Sequence, residues 1–240
     1  MLDETLESLR AAALASGDAG GYFPALYCRV TKRVMEDAAA GRFTDRERMG
    51  TFVQGFAARY LDARNGPTAA PACWRASFAM TADTSLLVVQ HLLLGINAHV
   101  NFDLPQTVVD LVGETGDLTS IRSDFDGINA VLHDTYNDVI GDLDRVTHWT
   151  GKVAAMGGGH LFNFGLHTAR DQAWRAAGLL HASAPDARPT EVASLDRLVS
   201  VVAYLITRPT IPFRWIAGAA RRLETHDSAR VTTALLGPLA

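Results

Sequence analysis

Apolar residues recur at three- and four-residue spacing along most of the chain, whereas strict alternation over five or more positions is hard to find. That period predicts an all-α protein. Candidate helices cover about residues 4–16, 23–40, 45–64, 70–81, 84–102, 104–113, 119–141, 143–156, 160–183, 191–207 and 213–225. Thr44 followed by Glu47 reads as a capping box, and Pro24 suits a first helical turn. Glycine- and proline-bearing stretches at 17–21, 65–71, 113–117, 157–159 and 185–189 separate the helices. None is long enough for a domain linker, so the expectation is a single-domain multi-helix bundle of about nine to eleven helices spanning residues 1–240.

Composition narrows the function classes. The net charge of −4 over 240 residues offers no basic field for nucleic acid or anionic lipid, and the longest apolar run, Leu86 to Ile96, is too short and too interrupted to span a bilayer. The two cysteines, Cys28 and Cys73, form neither a disulfide framework nor a CxxC site, which suits a reducing cytoplasm. The start, MLDETLESLR, brings Asp3, Glu4 and Glu7 before any apolar run and does not read as a secretory signal. GGGH at 157–160 lacks the Lys and Ser/Thr of a phosphate loop and reads as an interhelical turn.

The chemistry lies in three polar stripes on otherwise apolar helices. HLLLGINAHVNFDLP, residues 91–105, carries His91, Asn97, His99, Asn101 and Asp103. His91 and His99 border one face, with Gly95 between them; because glycine costs about 1 kcal/mol against alanine in a helix interior, something must come close there, either a neighbouring helix or a ligand. Asp126, Asn129, His133 and either Tyr136 or Asn137 form a second stripe, of residues that favour specific hydrogen bonds over solvation. His160, His167, Asp171 and Trp174 form a third. Two HxxxD units, His99 with Asp103 and His167 with Asp171, set an imidazole and a carboxylate four residues apart, a spacing that lets both reach one cation at about 2.0–2.2 Å. A second reading of Asp103 is purely structural: DLPQ is a helix start, with Asp103 as N-cap and Gln106 at the third position. His91 taken alone reads as a core histidine bonded to a backbone carbonyl, and Asp171 as a surface partner of Arg170 or Arg175.

The segment GINAHVNFDLP resembles the GxNAHxNxDLP signature of a bacterial family of all-helical proteins of unknown function, and the likeness extends to the arginine and tryptophan of ARDQAW at 169–174. A weaker similarity is to helical zinc-dependent phospholipase C and nuclease proteins. It implies metal ligation by His99 with Asp103 and by His167 with Asp171, although this chain has no N-terminal Trp and no compact HxxxDxxxxxH block.

These features lead to an expected enzyme acting on a small molecule, with catalytic His99, Asp103 and His133. His91, Asn97, Asn101, Asn129, Tyr136 and Trp174 would line the substrate pocket. A divalent metal (zinc, iron or manganese) held by His99, Asp103, His167 and Asp171 would activate water for hydrolysis. One alternative is a metal-free enzyme in which a His99–Asp103 acid-base pair isomerises, cyclises or eliminates a hydrophobic small molecule. Another is a non-catalytic helical ligand-binding protein whose stripes are satisfied core networks.

Overall fold

The computed structural model describes residues 2–147, 159–209 and 211–237, apart from the side chains at 2, 136, 137, 159–164, 166, 211–214 and 216. Among the described residues every regular element is helical. The α-helices are α1 (Leu2–Leu14), α2 (Tyr22–Ala39), α3 (Arg46–Asn65), α4 (Ala72–Phe78), α5 (Val88–Ala98), α6 (Leu104–Val112), α7 (Arg122–Thr147), α8 (Gly159–Ala182), α9 (Arg188–Thr207), α10 (Ile211–Arg221) and α11 (Ser228–Leu236). Short 3-10 turns at Ala19–Gly21 and Leu118–Ile121 lead into α2 and α7. No described helix is long and apolar enough to cross a membrane.

Two elements organise the rest. Helix α2 packs on α1, α3, α5, α7 and α11. The second is a continuous rod made of α5, a π-helical turn at His99–Asp103 and α6. The rod touches α2, α3, α4, α8 and α9. The sequence predicts a break between residues 102 and 104, but the helix runs through. Pro105 has no N–H and its ring crowds the carbonyl four residues back, which would ordinarily end or kink a helix. Widening by one residue absorbs the defect: the Leu104 N–H reaches back five residues to the His99 carbonyl. The Gln106 side chain donates to the Phe102 carbonyl at 2.8 Å.

The apolar interior forms two adjoining cores. One joins α1, α2, α3, α4, α5, α7 and α11 around Leu9, Phe23, Tyr60, Trp74 and Leu235. The other joins α3, α6, α7 and α8 around Phe52, Leu104, Val108, Phe125 and Ala177. Phe56, Val192 and Leu195 pack against both. Helix N-termini are tied across the fold by distant carboxylates. Asp196 on α9 accepts from the amides of Ala72 and Cys73 at 2.7 and 2.8 Å, and the buried Glu224 accepts from Val88 at 3.0 Å. Asp124 on α7 accepts from Thr44 and Asp45 at 2.7 and 3.2 Å.

Some predicted boundaries shift. The cap of α3 is Asp45, whose carboxylate accepts from the Arg48 amide at 3.0 Å, because Asp124 takes the Thr44 amide that a Thr44–Glu47 box would have used. The interruption expected near Gly141 is absent, and α7 continues to Thr147. Val139, Leu143 and Val146, buried at helical spacing on either side of the glycine, hold it in the helix. Helix α11, capped by Asp227 accepting from Arg230 at 3.0 Å, is an element the periodicity did not mark. The GGGH turn lies, but for its last two residues at the start of α8, outside the described residues.

The close approach inferred at Gly95 is that of a neighbouring helix. A Cβ built there would lie 2.4 Å from the Phe23 ring carbons Cγ and Cδ2. Gly95→Ala is therefore expected to destabilise the fold, since overpacking costs about 1–3 kcal/mol against a helix-propensity gain of about 1 kcal/mol. Urea unfolding would measure it; a midpoint raised by the alanine would contradict the packing described.

Candidate functional site

The π turn presents His99 and Asp103 to a layer of aromatic rings. Asp103 does not cap a helix: its backbone is helical (φ −75°, ψ −41°) and its side chain makes no capping hydrogen bond. One carboxylate oxygen, Oδ2, instead accepts twice, from Trp74 Nε1 at 3.0 Å and from His99 Nδ1 at 2.9 Å. Both partners are almost fully buried, His99 at 3% exposure and Asp103 at 2%. A carboxylate can only accept and an indole N–H can only donate, so the network assigns the His99 proton to Nδ1. Its other nitrogen, Nε2, is then a lone pair, and it is buried with no hydrogen-bond partner. An orphaned buried acceptor costs about 1–3 kcal/mol, a burden that a purely packed core residue does not need.

Rings enclose the imidazole. Phe56 stacks on it with centroids 3.6 Å apart and planes 10° from parallel. Tyr27 meets it edge to face at 4.4 Å, and Phe23, Trp74 and Tyr60 stand at 5.5, 6.2 and 6.4 Å. Burial pushes the His99 pKa down, opposed by the hydrogen bond and charge of Asp103, so the ring is neutral at neutral pH. Burial, seconded by the Asp103 charge, pushes Tyr27 well above the usual phenol range.

Phe23, Tyr60 and Trp74 are also a shared wall. On their far side they line a crevice with Phe78, Thr81 and His91. Its volume is about 20 Å³, on the scale of one water molecule. His91 therefore sits at this crevice and not against His99. Its ring meets Tyr22 edge to face at 5.8 Å, and burial lowers its pKa against the effect of the neighbouring Asp83 carbonyl.

The remaining predicted residues divide. Asn97 donates to the Val199 carbonyl of α9 at 2.9 Å, and Asn101 donates to Asn97 Oδ1 at 3.0 Å. These asparagines fasten the rod to α9. The described members of stripes two and three meet each other through Arg170 and Arg122. Asn129 accepts from Arg170 Nε at 2.6 Å, Asp171 pairs with Arg122 at 3.8 Å, and Trp174 packs on Phe125 at 4.9 Å with the Arg122 guanidinium over its ring at 4.8 Å. Arg170, brought down to about 10 by burial, lies over the Phe125 ring. His133 and His167 are exposed on α7 and α8. The side chains of Tyr136 and His160 lie outside the described residues. Among the described residues no three His, Cys, Asp or Glu side chains gather as a metal would require. His99 and Asp103 turn their facing atoms on each other, and Asp171 turns to Arg122.

Sequence reasoning did not reach Tyr27, Phe56 or the role of Trp74. A signal was available. Phe23 with Tyr27, Phe56 with Tyr60 and Trp74 with Phe78 are aromatic pairs four residues apart on three helices, the same spacing as His99 with Asp103.

The chain belongs to a family of unknown function, DUF5995, whose model matches residues 2–209 and so includes the whole His99 centre. Neither curated proteins nor solved structures give a match.

The buried histidines give a pH dependence whose sign follows from neutrality in the fold. Below the ordinary histidine pKa of about 6.5 the unfolded chain takes up protons that His91 and His99 refuse when folded, so stability is lost as pH falls through that value. Each group contributes a slope of up to about 1.4 kcal/mol per pH unit. Thermal melts from pH 7.5 to 5 should show a falling midpoint, with a shallower fall in His99→Gln; parallel profiles for the two proteins would contradict a neutral buried His99.

Proposed function

We propose that the protein is an acid-base enzyme acting without a metal on a small apolar molecule, with His99 Nε2 as the proton-accepting atom. The observation that carries this reading is the orphaned Nε2 lone pair, held in one tautomer by Asp103, which is itself held by Trp74. A lowered pKa keeps the base unprotonated at neutral pH, and Asp103 stabilises the imidazolium that forms on proton transfer. Walls of Phe23, Tyr27, Phe56, Tyr60 and Trp74 suit a substrate with an apolar body and exclude water.

Entry requires a ring to move. Phe56 is half-buried and covers the imidazole face from α3, whereas Phe23, Tyr60 and Trp74 separate it from the crevice at His91. The reaction class that fits a lone base in an apolar box is proton movement at carbon: isomerisation, cyclisation or elimination. Hydrolysis at a metal would need His99, Asp103, His167 and Asp171 to converge, and the hydrogen bonds of Asp103 and the Arg122 pairing of Asp171 favour the metal-free reading.

The test is incubation of a cellular small-molecule extract in D2O with wild type and with His99→Gln, followed by untargeted mass spectrometry. Wild type should consume or deuterate at least one apolar metabolite, and the variant should do so at least about 100-fold more slowly. Identical profiles from wild type, variant and buffer, with the variant merely less stable, would instead support a structural network.

A further inference from the structure

Helix α9 is apolar over a broad arc, part of which is buried and part exposed. Val192, Leu195, Val199 and Ala203 turn to the cores, where Asp196 and the Val199 carbonyl are also engaged. On the outward side Leu198, Val201, Val202 and Leu205 remain exposed by 63, 57, 36 and 59%. At about 100° per residue these four form a stripe roughly 100° wide, adjoining the buried face and centred about 120° round the helix from it. A helix apolar over so wide an arc is ordinarily a buried helix, and contiguous apolar exposure of this kind marks an interaction surface.

The order of residues in the stripe selects the partner. Leu198, Val201, Val202 and Leu205 read the same in either direction, Leu-x-x-Val-Val-x-x-Leu. We propose that this chain forms a homodimer through an antiparallel α9 to α9 contact, on a two-fold axis passing between Val201 and Val202. That axis sets Leu198 against the partner's Leu205 and Val201 against the partner's Val202, apolar against apolar at all four contacts, as an isologous interface requires. Charge agrees with the pairing. Glu191 lies in line with the stripe at one end of α9 and Arg208 at the other, and the antiparallel arrangement brings Arg208 within about one helical turn of the partner's Glu191 at both ends. Arg208 is held over the Tyr204 ring at 4.7 Å and donates to its hydroxyl at 2.9 Å, which gives the stripe an ordered rim. Together the two stripes and rims would cover on the order of 1,000 Å², the lower range of a specific interface. Glu191 on the stripe's line disfavours an anionic lipid surface as the occupant.

Sedimentation equilibrium of the full chain, from about 1 to 100 µM, tests the proposal. Wild type should be dimeric, and Val201→Glu with Val202→Glu should weaken dimerisation at least 100-fold with unchanged far-ultraviolet circular dichroism. A register check uses Leu198→Cys and Leu205→Cys: mixed under mild oxidation they should cross-link to each other in preference to themselves. A wild type that stays monomeric at 100 µM overturns the proposal, as does a dimer indifferent to the two glutamates. A monomer that sediments with phosphatidylcholine–phosphatidylglycerol vesicles would give the face to a membrane and overturn it too.

Discussion

A single carboxylate oxygen, Asp103 Oδ2, organises the centre of this protein by accepting from an indole and an imidazole at once. The charge is buried, so it must be satisfied; one donor comes from α4, which packs on the rod, and the other from the rod itself. Trp74 on α4 and His99 on the π turn are thereby fixed relative to each other. The consequence for chemistry is one-sided. With Nδ1 committed, His99 has one free nitrogen, and the aromatic rings of α2, α3 and α4 surround it.

The π turn makes this arrangement compatible with a continuous rod. A conventional helix would break at Asp-Leu-Pro, and Asp103 would then spend its carboxylate on capping amides. The five-residue hydrogen bond from Leu104 to His99 keeps the rod intact and leaves the carboxylate free for Trp74 and His99. Gly95, one turn before the centre, lets Phe23 approach until its ring also lies against His99. Asn97 and Asn101 anchor the opposite side of the rod to α9. The unusual residues of GINAHVNFDLP thus have separate mechanical duties around one chemical group.

How much of this was legible depended on range. The helical class followed from periodicity, and the His99–Asp103 pair from four-residue spacing, because both are local. The Asp103 cap was a sound local inference defeated by a donor, Trp74, that lies 29 positions away in the chain. The Thr44–Glu47 box failed in the same way, displaced by Asp124 from α7. The break at Gly141 failed because burial of Val139, Leu143 and Val146 outweighs one glycine's cost. The meeting of the second and third stripes at Arg170 and Arg122, away from His99, could not be read at all, since periodicity assigns faces to helices without saying which faces are neighbours.

Asp103 holds His99 as a neutral imidazole with its proton on Nδ1. Nitrogen-15 NMR of the histidine side chains at pH 7, with His99 assigned by its loss in His99→Gln, measures this directly. A ring held this way shows a protonated Nδ1 and a non-protonated, pyridine-like Nε2. An imidazolium spectrum, or a proton found on Nε2, would contradict it.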